Sequence, residues 1–155
     1  MEELLGYIES DLANRGSSEA SLLAVLDRIL GHFHCVVGTI HVLDPQSGML
    51  KLIAQRGIPE AIMDKVRIIP IGKGMAGLAA ERREPVQVCN LQTDESGVAK
   101  PSAKMTQMEG SISFPMIVDR ELKGTMGVAK PVAYEFSKEE TDLLMQIGVV
   151  VGNRL

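Results

Sequence analysis

The sequence predicts an α+β domain built on a six-stranded, largely antiparallel sheet. Apolar residues recur at helical spacing near both ends of the chain, whereas the middle holds short β-branched segments separated by turn residues. Two pairs of these segments are joined by short turns and should form hairpins, which favours antiparallel pairing. The length of 155 residues suits one domain with one substantial core.

Composition excludes several classes of protein. The formal net charge of -4 argues against a general nucleic-acid binder, which would carry a basic face. No apolar run approaches the ~20 residues that span a bilayer, and the acidic N-terminus is not a secretory signal. With two cysteines, Cys35 and Cys89, the expected compartment is the reduced cytoplasm. We therefore expect neither nucleic acid nor a membrane as a partner.

The N-terminal third predicts two helices. The first spans 2–13, and its apolar face consists of Leu5, Ile8 and Leu12. The second spans 19–33, with Ser17 or Ser18 as its N-cap. We accordingly divide the chain into an N-terminal amphipathic helix and linker, 1–16, and a domain, 17–155.

Beyond residue 35 the apolar pattern changes to that of strands. Six strands are predicted, at 36–43, 49–54, 67–71, 85–89, 111–118 and 123–130. Pro70 places the third strand at a sheet edge, because proline cannot donate to a neighbouring strand. Short helices at 60–65 and 75–82 separate strands, and the polar segment 90–109 is a loop long enough to be functional or mobile.

A final helix begins at a capping box formed by Ser137 and Glu140. Its buried face consists of Leu143, Leu144, Ile147, Val150 and Val151. The last residues, 149–155, still have helical character, as if the helix continued into another domain. A C-terminal output domain in a longer parent protein is therefore a possible partner.

The segment Gly72-Lys73-Gly74-Met75-Ala76-Gly77 matches the dinucleotide-binding pattern G-x-G-x-x-G. That pattern belongs to the first turn of a parallel βαβ unit, whereas this helix stops before Pro85 and a hairpin follows. We therefore reject a dinucleotide site. The turn retains N–H groups at a helix start, which suit a carboxylate or phosphate, unless its glycines serve only to pack the turn against the sheet.

The run from Glu19 to Leu155 resembles the GAF domain family. The matching segments are LLAVLDRIL, VVGTIHVLD, IPIGKGMAGLAAERREPVQV, SISFPMIVDRELKGTMGVA and the FSKEE helix start. The resemblance implies terminal helices on one face of the sheet, and short helices and loops that form a ligand pocket on the other. It also implies a regulatory domain that senses a small molecule and transmits occupancy through its terminal helices, commonly as a homodimer.

Strand alternation assigns the candidate binding residues. On the first strand Thr39 and His41 share the pocket side, while Gly38 and Ile40 face the helices. His41 binds an anion or reports pH in one interpretation, and is a hydrogen-bonded core histidine in the other. The full set of candidate ligand-binding residues is Thr39, His41, Lys73, Gly74, Met75, Asp94, Met105, Met108, Ser111 and Ser113.

The terminal helices supply a second candidate set. If the domain is a homodimer, the resemblance places its contact and output surface on their apolar faces. These residues are Leu5, Ile8, Leu12, Leu144, Ile147 and Val151. The ligand itself stays unknown, and the sequence requires no cofactor.

Two alternatives stay open. Free methionine-(R)-sulfoxide reductases are single-domain GAF proteins, but they keep a cysteine where this chain has Ala76, and another in the long loop, which here has none. We therefore expect no catalytic residues and no enzyme. The other alternative is a dimerisation module without a ligand, its pocket plugged by Met75, Met105 and Phe114.

The cluster around His32 and His34 lacks further ligands, so no metal site is expected.

Overall fold

The computed structural model describes residues 2–15 and 18–155. Six antiparallel strands form one sheet in the order β3-β2-β1-β6-β5-β4. The strands are β1 (Val37–Leu43), β2 (Met49–Arg56), β3 (Ile68–Pro70), β4 (Val86–Val88), β5 (Ser111–Val118) and β6 (Glu121–Ala129). The predicted α+β class and its six-stranded antiparallel sheet are confirmed, and β3, which contains Pro70, lies at an edge.

Six helices cover the two faces of the sheet. They are α1 (Glu2–Arg15), α2 (Glu19–Phe33), α3 (Met63–Val66), α4 (Gly74–Arg82), α5 (Pro101–Lys104) and α6 (Lys138–Gly152). The terminal helices α1, α2 and α6 share one core with one face of the sheet. The short helices α3 to α5 lie on the opposite face. A 3₁₀ turn, Glu60–Ile62, leads into α3. Within the ranges just given, no helix is long and apolar enough to cross a membrane.

The main core lies between the sheet and the terminal helices. Ile40 of β1, Phe114 of β5 and Met126 of β6 are fully buried there, together with Leu26 of α2 and Ile147 of α6. Burial of one such side chain stabilises the fold by about 1.5–3 kcal/mol. Phe114 therefore faces the helices, and the expectation that it plugs the pocket is wrong. Its side chain lies on the same face of the sheet as those of Ile112 and Met116, which are two residues away on either side along the strand.

The helix-face residues expected at a dimer surface pack inside the protomer. Leu5 is partly buried against the core, and the rest are fully buried within it: Ile8, Leu12, Leu144, Ile147 and Val151. A helical apolar stripe predicts burial but does not say whether the covering surface is the same chain or a second copy. Here α1 packs against α2 and α6 of its own chain. A contact between copies through these helices would therefore involve their other side chains.

Side-chain caps begin α2 and α6. Ser18 accepts a hydrogen bond from the Ser21 amide at the start of α2, whereas Ser17 lies outside the described residues. At α6 the predicted capping box is confirmed, since the Glu140 amide donates to the Ser137 hydroxyl and the Ser137 amide donates to the Glu140 carboxylate. Each such cap stabilises a helix by about 1 kcal/mol.

The largest local difference from the sequence prediction lies in the polar segment 90–109. It contains the single turn of α5, which the absence of a sustained apolar period had concealed. The β5–β6 hairpin is also tighter than expected. Asp119 and Arg120 alone form its turn, with φ angles of 51° and 70°, so β6 begins at Glu121 instead of Lys123.

Gly31 provides a stability prediction. It lies inside α2, and a Cβ added there would meet nothing within 4 Å. Since glycine in a helix costs about 0.5–1 kcal/mol relative to alanine, we expect Gly31→Ala to raise the free energy of unfolding by that amount. Urea denaturation of the variant and the parent chain measures the difference. An unchanged or lower midpoint contradicts it.

Candidate functional site

A cavity of about 140 Å³ lies between the sheet and the short helices α3 to α5. Its floor comes from β1, β5 and β6, and its walls from α3, the turn before α4, and the segment that contains α5. The apolar part of the lining includes Val37, Ile58, Ile62, Val66, Ile69, Met75 and Leu91. A mostly apolar concavity with a few polar groups is typical of a small-molecule site, and this volume lies below the ~300–1,000 Å³ of drug-sized pockets.

The centre of the floor is a glycine between two hydroxyls. Gly127 of β6 pairs with Thr39 on one side and with Ser113 on the other. A Cβ added at Gly127 would lie 3.2 Å from the Thr39 hydroxyl and 3.3 Å from the Ser113 hydroxyl. Ser113 is 8% exposed, and neither hydroxyl has a hydrogen-bond partner within the described part of the chain. Both groups are therefore free to bind a ligand that rests on Gly127.

The wall beside this floor is the N-terminus of α4. Gly72 and Gly74 adopt φ angles of 86° and 66°, which favour glycine, and the Gly72 amide donates to the Gly77 carbonyl. Lys73 is the N-cap, and its side chain makes no capping hydrogen bond. The amides of Gly74, Met75 and Ala76 have no backbone acceptor among the residues described. All three residues line the cavity, so these N–H groups suit an anion.

The charged side chains of the lining are all lysines. Lys65 comes from α3, Lys73 from the turn before α4, and Lys100 from the start of α5. In residues 2–15 and 18–155 none of the three has a carboxylate within salt-bridge distance. The lining as described contains no aspartate or glutamate. The cavity is therefore electropositive.

His41 lies where the floor meets α3. Its Nε2 is 2.7 Å from the Val66 carbonyl oxygen, and the residue is 2% exposed. Burial lowers the pKa of the imidazole below its ordinary value of 6.5, although the hydrogen bond to Val66 opposes this. The ring is therefore neutral near pH 7 and donates through Nε2–H to Val66. Its Nδ1 atom is buried and has no partner among residues 2–15 and 18–155, and the same is true of the hydroxyl of Thr125 across the strand pair.

A pH dependence of stability follows from His41. Because the folded-state pKa lies below the unfolded value of 6.5, the unfolded chain binds more protons just below pH 6.5. The contribution of neutral His41 is complete above pH 6.5 and is lost as the pH falls towards the folded-state pKa. The slope is at most about 1.4 kcal/mol per pH unit for one proton. We expect His41→Gln to lose this slope, measured by urea denaturation between pH 5 and pH 7; an unchanged slope contradicts it.

The structure brings most of the predicted binding residues together. The cavity is lined by Thr39, His41, Lys73, Gly74, Met75, Ser111 and Ser113. Three predicted residues lie elsewhere. The Asp94 carboxylate accepts a hydrogen bond from Ser96 in its own turn, the Met105 side chain is 50% exposed, and Met108 packs behind Met75.

That these three residues bind a ligand stays a prediction, and they lie outside the cavity lining for a shared physical reason. They were placed by their position in a long polar loop, and α5 redirects that loop. The lining residues that sequence reasoning missed include Lys65, Lys100, Ser102, Ala103, Thr106 and Gly127. Pro101 was the available signal, since proline is favoured in the first turn of a helix and would have indicated α5. Lys65 carried no signal beyond its charge.

Neither cysteine lies in the cavity. Cys35 is buried in the core beneath the terminal helices, where burial raises the pKa of its thiol to about 11. Cys89 is exposed just after β4. Ala76, where the resemblance predicts a cysteine in a reductase, lines the cavity. Met75 lines it without filling it, so neither Met75 nor the exposed Met105 plugs the site. A thiol nucleophile is thus missing from the described lining.

Solved structures with this fold include GAF domains and a free methionine-R-sulfoxide reductase. The GAF domain of a phosphoenolpyruvate-protein phosphotransferase from Coxiella burnetii has a TM-score of 0.83 at 21% identity, covering 99% of this chain and 91% of that one. A free methionine-R-sulfoxide reductase from Neisseria meningitidis, solved with its substrate, has a TM-score of 0.80 at 19% identity, covering 99% and 86%. At these identities the likeness concerns the fold alone.

A third solved structure is the domain of a putative two-component sensor histidine kinase protein from Sinorhizobium meliloti, with a TM-score of 0.68 at 23% identity, covering 87% of this chain and 88% of that one. No curated protein sequence matches this chain. The family model described as GAF domain matches residues 17–155. Fold, layer arrangement and family match agree: this chain belongs to the GAF domain family.

Proposed function

We propose that this GAF domain is a sensory module that binds a small molecule in the cavity and transmits its occupancy through the terminal helices. The observation that carries the proposal is the cavity itself. Its lining brings together hydroxyls, helix amides and lysines that have no protein partner within the described ranges. Buried polar groups without partners are costly. A ligand that satisfies them stabilises the folded chain.

The two faces of β1 support a route for transmission. Thr39 and His41 face the cavity, whereas Gly38 and Ile40 face α2. The packing on the helix side is tight, because a Cβ added at Gly38 would lie 3.1 Å from a Leu30 methyl group. A shift of β1 upon ligand binding would therefore displace α2, since close-packed interfaces transmit strain. We propose that α2 and its neighbours α1 and α6 carry the output, with α6 leading to any C-terminal domain.

A thermal-shift screen tests ligand binding. A ligand at about 100 times its Kd stabilises the folded state by about 2.7 kcal/mol. The screen is run on the parent chain, on Gly127→Ala, which places a methyl group between the two floor hydroxyls, and on Gly31→Ala as the matched control. A ligand of the cavity stabilises the parent and Gly31→Ala but not Gly127→Ala. If metabolites, nucleotides and tetrapyrroles all fail to stabilise the parent, the chain is a GAF scaffold without a ligand.

Hydrogen exchange tests whether ligand binding in the cavity changes the terminal helices. Hydrogen exchange of α2 and α6 is compared with and without the ligand found in the screen. Altered protection in these helices, which do not line the cavity, supports the proposed output. Protection that changes only in the cavity walls contradicts it. Analytical ultracentrifugation of both states tests whether the domain works as a homodimer.

The alternative function is thiol-dependent reduction of free methionine sulfoxide. The positions of Cys35 and Cys89 outside the cavity disfavour it. That chemistry needs a thiolate at the substrate, and burial opposes thiolate formation at Cys35. We expect no turnover of free methionine-R-sulfoxide with dithiothreitol as reductant. Turnover that disappears in Cys89→Ser would overturn this assignment and establish an enzyme. Two free cysteines also agree with the cytoplasmic location that we propose.

A further inference from the structure

We infer that the cavity selects a small carboxylate that carries a hydroxyl or oxo group and no amino group. The inference rests on the proposed ligand-binding function and specifies the class of ligand. Three independent observations carry it: the sign of the charges in the lining, the free amides of α4, and the hydroxyl pair on the floor.

The charges in the lining discriminate between acids and amino acids. Lys65, Lys73 and Lys100 approach the cavity from three different segments, and none has a carboxylate partner in the part of the chain that the structure describes. An amino acid would bring an ammonium group into a cavity whose described lining offers it no carboxylate. An unpaired charge inside a binding site is a strong device for rejecting a competing ligand. A hydroxy acid of the same shape brings no such charge.

The amides of α4 fix the place of the carboxylate. The N–H groups of Gly74, Met75 and Ala76 have no acceptor in the described part of the chain, and they belong to a helix of nine residues. The helix dipole adds a partial positive charge at this end. The Lys100 stem packs close to Gly74, where an added Cβ would lie 3.3 Å from the Lys100 Cγ atom. A carboxylate at the amides therefore lies beside an ammonium group as well.

The floor fixes the place of the neutral polar group. Ser113 is 8% exposed and lines the cavity, and its hydroxyl has no hydrogen-bond partner among the described residues. Thr39 offers a second hydroxyl across Gly127. A hydroxyl group can both donate and accept, so this pair accommodates either a ligand hydroxyl or a ligand carbonyl. Gly127 keeps the space above the strand open for it.

Matched pairs of ligands test the inference. We would titrate the full chain by isothermal calorimetry with L-malate against L-aspartate, 2-hydroxyglutarate against glutamate, and lactate against alanine. Within each pair the ligands differ by a hydroxyl in place of an ammonium group. We expect the hydroxy acid of at least one pair to bind about tenfold or more tightly than its amino acid, a difference of about 1.4 kcal/mol.

Variants then locate the carboxylate and the neutral group. Lys73 is exposed, so we expect Lys73→Gln to weaken binding of that hydroxy acid about fivefold, as for an exposed ion pair. We expect Ser113→Ala to weaken it by up to about tenfold, as for one hydrogen bond. Lys104→Gln is the charge-matched control, because Lys104 is exposed, belongs to α5 and does not line the cavity. If Lys104→Gln and Lys73→Gln weaken binding equally, the loss of affinity reflects net charge alone. That result would overturn the placement of the carboxylate beside Lys73.

The outcomes separate this inference from the proposed function. If an amino acid binds as tightly as its hydroxy acid, the domain is a sensor but the inferred selection is wrong. The same holds if none of the six ligands binds while a metabolite that is neither a hydroxy acid nor an oxo acid stabilises the parent chain and not Gly127→Ala. If no compound binds in either experiment, the proposed function and this inference fail together.

Discussion

Replacing Gly77 with alanine is expected to lower the free energy of unfolding by about 3 kcal/mol or more. Gly77 lies in the first turn of α4, and an added Cβ would be 2.4 Å from the carbonyl oxygen of Pro70 and 3.1 Å from the amide nitrogen of Gly72. Both contacts are with backbone atoms, which cannot rotate away as a flexible side chain does. The turn before α4 must therefore move away from the helix. Urea denaturation measures the loss.

Displacement of this turn would also remove the free amides from the cavity wall. We therefore expect Gly77→Ala to abolish ligand-induced stabilisation at temperatures where the variant is still folded. Gly6→Ala is the control, since Gly6 is also helical and a Cβ there would meet nothing within 4 Å. A Gly77→Ala variant as stable as the parent chain would show that the contact with Pro70 relaxes at no cost.

The second large effect is expected at Ile8. The Ile8 side chain is fully buried, with 0% of its surface exposed, and it packs in the same core as α2 and α6. Truncation of a buried isoleucine leaves a cavity and costs about 2–5 kcal/mol. We expect Ile8→Ala to lower the free energy of unfolding by that amount, with one cooperative transition. Glu9→Ala, at an exposed position of α1, is the matched control and should change it by less than about 0.5 kcal/mol.

The Ile8 result bears on the division of the chain at residue 16. The sequence division treats 1–16 as a helix and linker outside the domain, and the family model begins at residue 17. In the structure α1 supplies fully buried side chains to the domain core. An Ile8→Ala variant that keeps its stability would indicate that α1 detaches readily from the rest of the chain. A large loss would make α1 a structural part of the domain.

Elements with strong local signals were predictable from the sequence. The capping box of Ser137 and Glu140 identifies the start of α6 because it depends on residues three positions apart. The edge position of β3 follows from Pro70 alone. Alternation along β1 correctly assigned Thr39 and His41 to one face and Ile40 to the other, since a strand has a side-chain period of two.

The rest of the site depends on contacts between distant segments. Gly127 gave no sign of its place between Thr39 and Ser113, which follows from the register of three strands. Lys100 reaches the cavity only because α5 folds the polar segment back over α4. His41 is buried and hydrogen-bonded, as its interpretation as a core histidine predicts, and it also lines the cavity. Its binding of an anion stays a prediction. Periodicity reports which face a residue occupies but not what approaches that face.

The three cavity lysines all come from connections between strands, whereas the strands contribute small neutral groups to the floor. Connecting segments tolerate substitution and insertion better than the elements they join. Under the proposed function, the preference for a ligand is encoded in parts that can be exchanged without disturbing the packing of Phe114 or Ile147 on the other face. An engineer could therefore re-target the domain by grafting 90–109 from a relative and keep its helical output unchanged.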